Sequence, residues 1–195
     1  MSYFAASLDQ IRGPNAWPEF QSVLASVEAA AFARARAVWP GWQPGGIFPG
    51  PRKFGVGPLR KNDMAGDTTD STPSGSYNFN VPSAAANAWR DLFRYTVRDD
   101  TIHAIAGFAF TDDVLRTAQM RFEVESRLYP IQDIQFAQNL TKYNLVLKLD
   151  QGSELIAEPK QRVLIRGYQL NTGVQRVVPI GLHLYRNLNA VLTET

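Results

Sequence analysis

Gln119-Met120-Arg121-Phe122-Glu123-Val124-Glu125-Ser126 alternates apolar and charged side chains along its length. Successive side chains of a strand point to opposite faces, so Met120, Phe122 and Val124 share a dry face, and Arg121, Glu123 and Glu125 a wet one. The same reading extends outward on both sides. Upstream, residues 102–110 are nearly all apolar and suit a central strand buried on both faces. Downstream, a strand is expected over 129–137, with Pro130 near its start, where a strand tolerates it. Tyr143, Leu145, Leu147 and Leu149 alternate with polar residues, and Asp150-Gln151-Gly152-Ser153 reads as a turn. Residues 154–158 return and Pro159 ends that strand; 162–170 and 174–186 are expected to pair across Asn171-Thr172-Gly173. In the last strand Val174, Val178, Ile180, Leu182 and Leu184 share a face. About seven or eight strands with short connections and no helical crossovers predict antiparallel sheets closed as a sandwich or barrel.

The N-terminal part reads differently. Over 15–39, Phe20, Val23, Leu24, Val27, Ala31, Ala35 and Val38 recur at spacings of three and four in an alanine-rich stretch, which predicts a helix. Asn15 is its candidate cap, and Pro40-Gly41 stops it. Residues 40–58 hold so many prolines and glycines that an irregular chain is expected. Trp39, Trp42, Phe48 and Phe54 are interleaved with them, so the segment reads as an extended ordered arm lying on something apolar. Residues 62–76 read as an exposed loop, and 83–95 as a short helix with Ala85, Trp89, Leu92 and Phe93 on one face. The expected organisation is a helix and arm over 1–76, then a β-sandwich domain over 77–195 with a short leading helix.

The 195 residues suit one domain with an appended arm. Net charge is +2, too small to imply wholesale binding to nucleic acid; residues 1–98 carry ten Lys/Arg and seven Asp/Glu, residues 99–195 ten and eleven. Charged residues make up 19% of the chain, against about a quarter in average domains, which points equally to a surface partly covered by partners or to an ordinary polar surface of Ser, Thr, Asn and Gln. The absence of cysteine excludes disulfides, thiolate metal sites and cysteine nucleophiles. Met1-Ser2-Tyr3-Phe4 has no basic stretch followed by a long apolar one, so no secretory signal is expected, and no apolar run is long enough for a membrane-spanning helix.

No motif commits the chain to catalysis. His103 and His183 lie in predicted strands among apolar neighbours and are expected to be structural; two histidines without cysteine are poor material for zinc. There is no Gly-x-Ser-x-Gly elbow, and Gly55-Val56-Gly57 runs into Pro58 rather than opening a nucleotide loop. Asp99-Asp100 and Asp112-Asp113 read as turns and caps. Asp63, Asp67 and Asp70 lack the spacing of a calcium loop. Arg52, Lys53, Arg60 and Lys61 form the most basic window, a candidate contact for phosphate or lipid headgroups. Arg90, Arg94 and Arg98 are a second basic series, beside Trp89, Phe93 and Tyr95. No cofactor or metal is expected, and no enzyme.

A helix, an arm with large apolar residues and then a compact antiparallel β domain resembles the single-jelly-roll capsid and virion proteins of phages and viruses. Gln161-Arg162-Val163-Leu164-Ile165-Arg166-Gly167-Tyr168 and Val178-Pro179-Ile180-Gly181-Leu182-His183-Leu184-Tyr185-Arg186 look like sandwich strands of such proteins. The resemblance implies a jelly-roll sandwich made in the host cytoplasm and assembled into a virion. Its partners would be copies of itself and other virion proteins, with contact to nucleic acid or an internal membrane as a further expectation. Trp39, Trp42, Phe48 and Phe54 would then lie at subunit interfaces, and a chain lacking the arm would fold but not assemble. A ligand-binding barrel or lectin-like module is the alternative. A third reading is a sandwich enzyme, in which His103 or His183 would be essential.

Overall fold

A computed structural model describes residues 4–6, 18–47, 49–59, 61–64, 79–83, 86–110, 116–129, 131–134, 146–148 and 155–187. Among the described residues one α-helix, α1 (Pro18–Val38), accompanies two sheets packed face to face, antiparallel except for one short parallel pair. The first contains β1 (Phe4–Ala6), β2 (Gln43–Pro44), β3 (Lys53–Pro58), β4 (Phe79–Ser83), β6 (Thr101–Phe110), β10 (Val146–Lys148), β11 (Leu155–Ala157) and β13 (Gly173–Tyr185). The second contains β5 (Ala88–Thr96), β7 (Thr117–Val124), β8 (Arg127–Leu128), β9 (Gln132–Asp133) and β12 (Arg162–Gln169).

The pairings have a definite topology. β10 and β11 lie end to end along one edge of β6, and β13 lies along the other. β3 and β4 share the far edge of β13. The second sheet runs β5, β12, β7, then β8 and β9. From β4 onward the chain therefore visits the first sheet, the second, the first, the second, the first, the second and the first again. This is the strand order of a jelly roll, two Greek keys wrapped into a sandwich. The expected mainly β, antiparallel sandwich with an N-terminal helix is what the chain forms.

Two apolar layers hold it together. Between the sheets lie Leu92, Phe93, Ile105, Phe108, Phe110, Met120, Phe122, Val163, Ile165 and Val177. Phe108 stacks between Phe93 and Phe122 at 5.9 and 5.5 Å between ring centres. Between the first sheet and α1 lie Val27, Ala31, Ala35, Trp39, Phe54, Ile102, Ala104, Ala106 and Leu184. All ten residues of β6 are buried because this strand has the second sheet on one side and α1 on the other. The shared face of β13 is confirmed in part: Leu182 and Leu184 pack under α1, while Val177, on the opposite face, joins the sandwich core.

Three expectations need correction. Residues 83–95 do not form a helix: 88–96 is strand β5. A register shift opposite Ile165/Arg166 makes Asp91 face Arg166 and Phe93 face Ile165, so Leu92 is an extra residue. Leu92 and Phe93 are consequently both turned into the core, and this bulge imitates helical spacing. The arm expected over 40–58 is not shown either, since Lys53–Pro58 is strand β3 and pairs with β13. Gly55 is required there, because a Cβ on it would lie 2.3 Å from the ring of Tyr185. Glycines that suggested irregular chain thus make room for a large side chain on the neighbouring strand. α1 and β3, both before residue 76, pack against β6 and β13. Finally, β12 and β13 do not pair with each other; the chain crosses between sheets at 170–172. The Arg116 guanidinium donates to the carbonyls of Thr172 and Val174 and fixes this crossing.

Candidate functional site

His103 and His183 are direct cross-strand partners on β6 and β13. Both point into the sandwich, where their rings meet edge to face with centres 5.1 Å apart. His183 Nδ1 lies 3.0 Å from a carboxylate oxygen of Asp63, which sits on a 3-10 turn (Lys61–Met64) directly after β3. His103 Nδ1 lies 3.2 Å from the hydroxyl of Tyr95 on β5, in the opposite sheet. The Tyr185 ring flanks His183 at 5.1 Å, and its hydroxyl donates to the carbonyl of Ile47. Asp63, His183, His103 and Tyr95 thus form a line of polar groups across the core, joining the 3-10 turn, both central strands of the first sheet and the edge strand of the second.

Burial governs the electrostatics of this line. His103 is 1% exposed and His183 2%. Burial, then the neighbouring His183, with Arg98 adding to both, pushes the pKa of His103 down to about 3, against the opposing pull of Asp63. Burial, and secondarily the Asp63 charge, pushes the Tyr95 hydroxyl well above its ordinary value. Tyr95 therefore stays a neutral donor, and neutral His103 accepts at Nδ1. Among the described residues the Nε2 of His183 has no hydrogen-bond partner. Both rings are buried, and the contacts they make give the geometry of a latch across the core.

The structure scatters the other candidates. Trp39 and Phe54 are buried inside the chain's own core, and Trp42 is half-buried beside them. The guanidinium of Arg186 lies over both tryptophan rings, 5.1 Å from Trp39 and 5.6 Å from Trp42. These aromatics do not offer the open interface that an arm would present. Arg52 and Lys53 are exposed at the start of β3. Phe48, Arg60, Asp67, Asp70, Asp112, Asp113 and the side chain of Lys61 lie outside the described residues. Asp99 faces Lys160 at 3.4 Å on the surface. Among the described residues no three acidic, histidine or cysteine side chains converge as a metal site, and no helix is long and apolar enough to cross a membrane.

Two surface features stand out beyond these candidates. A cleft of about 680 Å³ opens where α1 meets the connections at one end of the sandwich. Val124 and Ile156 contribute apolar wall, and Arg34, Glu125, Arg127, Tyr129, Glu158 and Gln161 polar wall. Arg34 is ion-paired to Glu158, and Arg127 donates to the Tyr129 hydroxyl. The second feature is the outer face of the second sheet. Its rows across β5, β12 and β7 are Trp89–Tyr168–Gln119, Asp91–Arg166–Arg121 and Arg94–Leu164–Glu123. Alternation had already put Arg121 and Glu123 on a wet face; only strand pairing set Arg121 beside Arg166. Comparison with protein-family models and with curated proteins finds no match to this chain.

Proposed function

We propose that this chain is a structural, virion-type subunit that self-assembles, with other virion proteins as further partners. The observation that supports this reading is the jelly-roll strand order, carried by two sheets with α1 covering one of them. Jelly rolls recur in viral shells, lectin domains and cupins, so the step from fold to function is one of analogy. The surface that would mediate assembly is the outside of the sandwich and its edges, because Trp39 and Phe54 are spent on internal packing. Light scattering after size exclusion, with electron microscopy of any large fraction, is the test. Rings, shells or large regular oligomers are the expected result. A monomer at every concentration, also in the presence of nucleic acid, would sink the proposal.

The end cleft favours a second reading, a lectin-like module. Its volume falls in the range of small-molecule sites, and its charged groups are largely paired already, which suits a neutral, hydroxyl-rich ligand. Titration with a panel of neutral oligosaccharides, followed by amide shifts, separates the readings. Saturable shifts confined to residues 124–129 and 156–161 would support the module.

A further inference from the structure

We propose that the outer face of the second sheet binds single-stranded nucleic acid. The two sheets differ in what covers them: α1 packs on the outside of the first, and among the described residues no element packs on the outside of the second. On this open face Arg121 and Arg166 stand directly opposite one another on β7 and β12. Like charges opposed across a sheet are destabilising. The local acids do not neutralise them evenly. Asp91 serves both Arg166, at 3.0 Å, and Arg94. Arg121 takes part in no ion pair among the described residues. Arg94, Arg121 and Arg166 share this face with Asp91 and Glu123, and a phosphate between Arg121 and Arg166 relieves their mutual repulsion with the bidentate geometry that arginine favours.

The rest of the face fits a polymer better than a single ion. Arg162, Leu164, Arg166 and Tyr168 follow one another on the outer side of β12, with Leu164 buried among its neighbours. At about 3.4 Å per residue, they span about 20 Å. A strand laid along β12 meets Arg162, then Arg166 with its neighbours Arg94 and Arg121, then an aromatic pair. That pair is Trp89 and Tyr168, edge to face at 5.7 Å, with Trp89 38% exposed. Arginines along a track with aromatic rings at its end combine phosphate contact with base stacking, the two means by which proteins hold single strands without reading sequence. An extended line across one sheet suits a linear polyanion better than a lipid surface, which calls for groups projecting from the tip of a molecule.

The test uses the full chain and a fluorescein-labelled oligo-dT of about twenty nucleotides, read by anisotropy. Saturable binding is expected that weakens about ten- to twenty-fold between about 50 and 200 mM salt, as three phosphate contacts require. Arg121→Gln should weaken it about three- to ten-fold and reduce the salt slope by about 0.7, while Arg121→Lys keeps the slope. Trp89→Ala should weaken it about five-fold or more. Lys160→Gln, away from the track, should leave binding unchanged. Circular dichroism checks each variant; should Arg121→Gln fail to fold, Arg162→Gln replaces it. No binding at low salt, or binding indifferent to Arg121, Arg162 and Trp89, overturns the inference. So does a chain that ignores the oligonucleotide but binds vesicles rich in phosphatidylglycerol through the same residues. The measurement is independent of assembly: a monomer that binds retains this inference and sinks the shell, and a shell-former that does not bind does the reverse.

Discussion

His103 shows how a neutral-looking core position becomes a pH-dependent one. In the unfolded chain an imidazole takes up its proton near pH 6.5, whereas in the fold His103 resists protonation until about pH 3. Between those values the unfolded state binds more protons, so stability falls as pH drops. The contribution is fully present above pH 6.5 and lost progressively toward pH 3, with a limiting slope of about 1.4 kcal/mol per pH unit. Urea unfolding of wild type between pH 7 and 5 should show this loss before most carboxylates titrate. His103→Gln should flatten the pH dependence in that window; an unchanged slope would mean that the latch does not hold His103 neutral. Gly55 makes a second prediction at this scale. Gly55→Ala must displace the Tyr185 ring and should lower stability by about 1–3 kcal/mol, read as a drop in Tm, and less in a Tyr185→Leu background.

At the scale of elements, α1 and β3 are the instructive pair. The helix was legible because its stripe, Leu24, Val27, Ala31, Ala35 and Val38, repeats on one face. β3 was not, because its glycines and Pro58 argue locally against a strand, and only the Tyr185 ring and the edge of β13 give them a reason. Phe54 joins the two: it is fully buried and touches Phe32 and Trp39, with ring centres 5.6 and 6.0 Å away. Phe54→Ala should therefore destabilise the whole fold by about 3–5 kcal/mol, measured by chemical denaturation. β5 failed in the opposite sense. Its apolar residues carry a helical spacing because a bulge turns both Leu92 and Phe93 inward, and a bulge is a property of strand pairing, invisible in a single segment.

At the scale of the molecule, removal of residues 1–76 takes away α1, β1 and β3 together. It uncovers Ile102, Ala104 and Leu184, and removes Asp63 from His183. The truncated chain should lose its cooperative thermal transition rather than persist as a soluble sandwich unable to assemble. A sharp transition near that of the full chain, followed by circular dichroism, would restore the view of 1–76 as an appended arm.

The sequence by itself determined the class of this fold. Alternation over 119–126, the apolar run of β6 and the stripe of α1 are statements about local period, and local period fixes which face of each element must leave water. It also favoured a structural place in the strands for both histidines, and both are buried. Only the tertiary structure decided what those faces meet. Which strands exchange sheets, where a bulge shifts register, why Gly55 sits in a strand and which arginines stand side by side all depend on contacts between residues far apart in the chain. Trp39 and Phe54 looked like surface to be hidden by a neighbour because their aromatic area is large; the fold hides it with α1 and β6, a choice set by three-dimensional packing and not by any pattern along the chain.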